Sequence, residues 1–146
     1  MENYYAGFGE TWERLALIKA RWICGDRELA YEFLRQHQTF IFPRNPTPDL
    51  LDEVALIKRR IERDIVGHEH LERNVKLGVG GIREIEFVVQ ALQLLHGARH
   101  PFIQEPSTLK APRGIAELEF LPQEDAQKLE AAYRFFRRLA PRPSGP

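Results

Sequence analysis

Apolar residues recur along this chain at three- and four-residue intervals, and Gly and Pro divide the pattern into pieces of helical length. Strand-like alternation is nearly absent, so the expected class is all-α. A first helix is expected from Glu10 to Ile23, with Trp12, Leu15, Ala16 and Trp22 near one stripe and Gly25 placed to stop it. Asp26 suits an N-cap for a second helix, Arg27 to His37, in which Leu29 and Phe33 stand four apart and Tyr31 and Leu34 widen the apolar surface. Together these two form a short helical hairpin.

Three prolines, Pro43, Pro46 and Pro48, fall within the stretch from Phe40 to Pro48 and mark a linker or extended crossing, with a domain boundary near Asn45. Thr47-Pro48-Asp49 is an N-cap, a proline at N1 and a first-turn acid, which starts a third helix carrying Leu50, Val54, Ile57, Ile61 and Ile65 on one stripe. Residues 67–72 are polar and suit a loop; Asn74 to Leu77 suits a short extended piece. Gly78, Gly80 and Gly81 then precede a helix from Ile82 to His96, apolar on most sides and closed by Gly97, which marks it as the central helix of the bundle. A weaker helix spans Ser107 to Phe120, where Pro112 should kink it or move its start. A strong one spans Pro122 to Leu139 with Leu129, Tyr133 and Phe136 in register. The expected organisation is thus residues 1–45, a helical domain over 46–139, and a frayed, disordered tail over 140–146 rich in proline.

Composition narrows the function classes. Lys+Arg and Asp+Glu both total 21, so there is no excess of base to neutralise a nucleic-acid backbone. Cys24 is the only cysteine, which excludes an internal disulfide and a cysteine-rich zinc site and suits a reducing cytoplasm. No apolar run approaches the length needed to span a bilayer, and the N-terminus has no basic segment leading into an apolar one. Neither nucleic acid nor membrane is an expected partner.

Two elements carry candidate chemistry. Gly80 and Gly81 feed a helix N-terminus whose unpaired amides and dipole attract anions, and Lys76 and Arg83 flank that turn. The same glycines equally suit a tight turn and close helix packing. In the first helix Arg14, Lys19 and Arg21 interrupt an otherwise apolar surface; Arg14 and Arg21, seven apart, should share a face, either solvated or phosphate-binding. Glu84 and Glu86 point about 200° apart on a helix and so suit a cap and an ion pair rather than one metal. The five histidines form no metal constellation, and Cys24, Ser107 and Thr108 have no base partner, the last two suiting a cap.

Tyr4-Tyr5, Phe8-Gly9, Thr11-Trp-Glu-Arg14, Ala16-Leu-Ile-Lys-Ala-Arg21, Gly80-Gly-Ile-Arg-Glu-Ile-Glu-Phe87, Val89-Gln90, Leu92-Gln-Leu94, His96-Gly97, Ala132-Tyr133 and Phe136-Arg-Arg-Leu139 occur in the order seen in glutamine synthetase adenylyltransferase, which the chain resembles over nearly its whole length. The form of residues 80–87 resembles the N-terminal, deadenylylating unit, which removes AMP from a tyrosine of glutamine synthetase by phosphorolysis and releases ADP. The resemblance implies a polymerase-β-like nucleotidyltransferase domain, whose trailing helices would be residues 1–45, followed by a helical domain. It also implies Mg²⁺, ATP or ADP, and glutamine synthetase or a PII protein as partners. Such enzymes hold Mg²⁺ with an Asp-x-Asp strand and a later aspartate; Asp49 and Asp52 in the third helix are no substitute, because two-metal chemistry needs convergent carboxylates. The expectation is therefore a fragment, inactive alone, whose missing catalytic part would lie upstream. The related PII uridylyltransferases share the arrangement. Two other readings stay open: a non-catalytic helical module that docks glutamine synthetase or a PII protein, and a gene fragment with no independent role.

Overall fold

The computed structural model describes residues 4–5, 9–57, 59, 76 and 81–140. Gly78, Gly80, the polar stretch 67–72, Ile61 and Ile65 of the expected third helix, and residues 141–146 of the tail lie outside the described residues. Among the described residues every regular element is helical: α1 Thr11–Ile18, α2 Arg27–Gln36, α3 Gln38–Ile41, α4 residues 48–57, α5 Ile82–His96, α6 Ala111–Glu117 and α7 Gln123–Leu139, with a 3₁₀ turn at Pro101–Ile103.

The core is organised by α5. Phe87 and Leu94 join Leu15 and Ile18 of α1, Ile41 of α3, Phe42 and Val54 of α4 in one cluster, so residues on both sides of position 45 pack together. Val89 and Leu92 meet Ile103, Ala111 and Ile115 in a second. Ile82 and Ile85 meet Leu129, Tyr133 and Phe136 of α7 in a third. A helix that feeds three clusters needs apolar residues round most of its circumference, which is what its sequence provides; Val88 alone of its large apolar residues stays exposed. Its limits match expectation. Gly81 is the N-cap, and at the C-cap Gly97 a Cβ would lie 2.4 Å from the carbonyl oxygen of Gln93 in the preceding turn and 2.6 Å from the Phe42 ring.

Two polar side chains on buried faces of α5 tie the clusters together. Gln90 donates to the Leu15 carbonyl at 2.8 Å, and Gln93, 1% exposed, donates to the carbonyls of Ile103 and Glu105 at 2.7 and 2.8 Å. Pro112 does not kink α6 but sits in its first turn, where its missing amide proton has no intrahelical partner to lose. Glu124 and Asp125 open α7 and Arg137 and Arg138 end it, in the sense that opposes its dipole.

Several expectations fail locally. The first helix ends at Ile18 rather than Ile23: the amides of Lys19 and Ala20 close onto the carbonyls of Ala16 and Leu17, tightening the last turn, and the chain leaves as an irregular stretch up to Gly25, whose φ of +80° suits glycine. Its inward stripe is Thr11, Leu15 and Ile18, while Trp12, Trp22 and Ile23 are exposed. Asp26 caps α2 as expected, accepting from the Leu29 amide at 3.1 Å. Yet α2 buries no residue fully: Leu29 and Tyr31 face outward and only Leu34 packs on the core. Phe40 belongs to the short helix α3 rather than to a linker, because His37 through Phe42 close helical bonds before the prolines begin. Neither Ser107 nor Thr108 gives α6 a side-chain cap; Lys110 stands at that position and Thr108 is buried.

Candidate functional site

Glu86, the fifth residue of α5, is the centre of a group of polar side chains from four parts of the chain. Lys19, released from helical geometry at the end of α1, brings Nζ to 4.0 Å from Glu86 Oε1, and Arg83 one turn earlier on α5 brings a guanidinium nitrogen to 3.9 Å from Oε2. The Tyr133 hydroxyl of α7 donates to Glu86 Oε1 at 3.2 Å, and Arg137 Nε donates to that hydroxyl at 3.2 Å with its guanidinium 5.4 Å from the ring centre. Lys19 also hydrogen-bonds the Thr108 hydroxyl. Two cations thus approach one carboxylate, and a third reaches the hydroxyl that binds it.

Depth separates the signs. Glu86 keeps 16% of its side chain exposed, Lys19 31% and Arg83 41%, so the carboxylate lies lowest and the cations line the way in. A cleft of about 390 Å³ opens there, walled by Trp12, Leu15, Ile57, Phe87 and Gln90. Burial holds the Lys19 ammonium below its ordinary range, Glu86 opposes that shift, and the nearby Arg137 reinforces it. A lysine that is partly desolvated and only loosely compensated gains from an added anion.

The sequence-derived candidates divide among separate places. Lys19 and Arg83 share the Glu86 cleft. Arg14 does not join them: its guanidinium lies 4.3 Å from the centre of the Phe40 ring in a cleft with Tyr5 and His37, and burial lowers its pKa while Glu53 opposes the shift. Arg21 lies beyond the end of α1, so the seven-residue rule does not place it on the face of Arg14; it lines a groove with Trp22, Tyr31 and Gln104. Lys76 is exposed and its carbonyl accepts from the Arg83 amide at 3.0 Å, which brings its backbone beside the start of α5 and uses one of the first-turn amides. Gly81 caps α5, its carbonyl accepting from Glu84 and Ile85; Gly80 lies outside the described residues. Glu86 pairs with neighbouring cations as expected, whereas Glu84 stands in the first turn of α5 rather than at its cap, which is Gly81 with no side-chain cap bond.

Thr108, Tyr133, Arg137 and Gln90 are the site residues that sequence reasoning missed. Gln90 alone carried a signal, as a polar residue on the apolar helix. The others lie up to 118 positions from Lys19 and meet it only by folding. The described residues gather no three of His, Cys, Asp and Glu that could hold a metal ion. No helix among them is long and apolar enough to cross a membrane.

Comparison with protein families gives two matches in chain order. Residues 1–36 match the family described as Glutamate-ammonia ligase adenylyltransferase, and residues 54–142 match GlnD PII-uridylyltransferase, with the proline-bearing stretch between them. The second match covers well over half of the 146 residues. The chain belongs to the GlnD PII-uridylyltransferase family and is related through its first helices to the glutamate-ammonia ligase adenylyltransferases.

Proposed function

We propose that this chain is the helical part of a cytoplasmic adenylyltransferase acting on glutamine synthetase, from the half that removes AMP, and that its Glu86 cleft meets the phosphates of ATP or ADP. One observation carries the reading: Lys19 and Arg83 outnumber the one carboxylate they share in an open cleft, and Arg137 stands behind it on the Tyr133 hydroxyl. Phosphoryl groups suit such a place, because charge-assisted hydrogen bonds from Lys and Arg are stronger than neutral ones and gain from partial desolvation. Mg²⁺ enters with the nucleotide, and the carboxylates that would hold it for chemistry belong to the catalytic part of the parent enzyme. Alone, the chain binds nucleotide weakly and transfers nothing.

Calorimetric titration of the 146-residue chain with Mg-ADP tests this. Heat of binding is expected from wild type and should fall by about tenfold in affinity in Lys19→Ala, the effect of removing one charged contact. Absence of heat in both samples would defeat the nucleotide reading, and release of AMP from adenylylated glutamine synthetase by the purified chain would defeat the claim of inactivity.

A second reading, a non-catalytic module that docks glutamine synthetase or a PII protein, is favoured by one feature. Trp22, Ile23, Leu29 and Tyr31 are all exposed on or beside α2, where scattered apolar residues become a contact surface if they act together. Pull-down with either protein after Leu29→Asp and Tyr31→Asp separates it from nucleotide binding, which those changes should leave intact.

A further inference from the structure

The Glu86 carboxylate occupies the place between Lys19 and Arg83 that an oxyanion entering the cleft would need. Its own contacts with the two cations are long, at 4.0 and 3.9 Å, and each oxygen meets only one of them. Among the described residues, the hydrogen bond that fixes it comes from Tyr133, whose hydroxyl is in turn engaged by Arg137. Glu86 is thus held by a neutral donor rather than by the charges it offsets.

From this we infer that Glu86 is an internal stand-in for the ligand, latched by Tyr133, which a phosphoryl oxyanion displaces on binding. The inference rests on the cleft being an anion site, as proposed above. Anion entry exchanges one set of charge-assisted contacts for another: the oxyanion takes Lys19 and Arg83, and the freed carboxylate rotates off them into the open cleft that it lines. Removing either the charge of Glu86 or its latch therefore strengthens binding, the reverse of what loss of a ligand-contacting group does.

Inorganic phosphate is the probe, titrated by calorimetry at constant ionic strength into the whole chain, with thermal melts to show that each variant is folded. Glu86→Gln, which keeps an acceptor for Tyr133 and removes the charge, is expected to bind phosphate about tenfold more tightly, the scale of one unit charge across a few ångströms of partly solvated space. Tyr133→Phe leaves every charge in place and releases only the latch, and is expected to gain about threefold, the worth of one ordinary hydrogen bond. Lys19→Ala should weaken binding. If Lys19→Ala weakens binding but Tyr133→Phe leaves it unchanged, the displacement inference is overturned and the anion site stands; any gain in Glu86→Gln is then simple charge repulsion. If wild type and all three variants bind no phosphate, both fall. Should Glu86→Gln fail to fold, Tyr133→Phe alone decides.

Discussion

Helices α5 and α2 both carry apolar residues at helical spacing, and they end in opposite environments. The apolar residues of α5 feed three clusters, with Leu94 fully buried. Those of α2 include Leu29, 69% exposed, and the helix has no fully buried residue. Periodicity says which face of a helix is apolar; it does not say whether anything covers that face. What distinguishes α5 is that its apolar positions run round the cylinder, so no packing of the other helices could leave it outside.

That contrast is most sharply broken by paired truncation. Leu94→Ala should cost about 3 kcal/mol, the range for a leucine lost from a packed core, whereas Leu29→Ala should cost less than about 0.5 kcal/mol; denaturant midpoints of the two variants measure this, and equal losses would sink it. The next effect concerns what holds α2 together without a buried face. Asp26 supplies its N-cap and Glu32 pairs with Arg35 at 2.7 Å on the exposed surface. The ion pair is worth little in solvent, so Asp26→Ala should cost about 1 kcal/mol and fray α2 first. Amide exchange would register this as faster exchange at Leu29 and Ala30, and unchanged rates there would refute it.

The smallest effect lies at the other end of α5, where His96 stacks on Phe120 with ring centres 3.8 Å apart. Burial, then His100 and Arg99, lower its pKa from the ordinary 6.5, outweighing the attraction of a helix C-terminus for positive charge. A base with a lowered folded-state pKa takes its proton first in the unfolded chain. Its contribution is therefore present above 6.5 and lost as pH falls through the folded value. Wild type should lose stability on acidification through that window and His96→Asn should lose less; parallel pH–stability curves would exclude His96 as the source.

How much of this was legible depended on whether a local signal and a tertiary one agreed. At α5 they did: Gly81 and Gly97 bracket a run apolar on most sides, and the helix spans Ile82 to His96 as expected. At α1 they did not. Trp22 and Ile23 extend the apolar count but stay outside the core clusters, and the chain leaves the helix near Lys19, whose side chain reaches Thr108. The same departure decided the candidate site. Lys19 and Arg83 were legible as cations beside apolar helices, but their convergence on Glu86 depends on where α1 ends, and Arg14 and Arg21 diverge for that reason. Tyr133 and Arg137 looked like ordinary members of a terminal helix, because a residue's role as a latch exists only in its contacts.

Gln93 gives α5 something its apolar neighbours cannot. Hydrophobic contacts tolerate a helix that rolls or slides by a fraction of a turn, since one methyl group replaces another at little loss. A primary amide that meets two carbonyls of the segment ending at Glu105 has one acceptable azimuth and one acceptable height. It acts as an indexing pin. The three clusters make the bundle cohere, and the pin selects which of several nearly equal bundles it is, so that Glu86, seven residues away and two turns up the same helix, points toward Lys19 each time the chain folds.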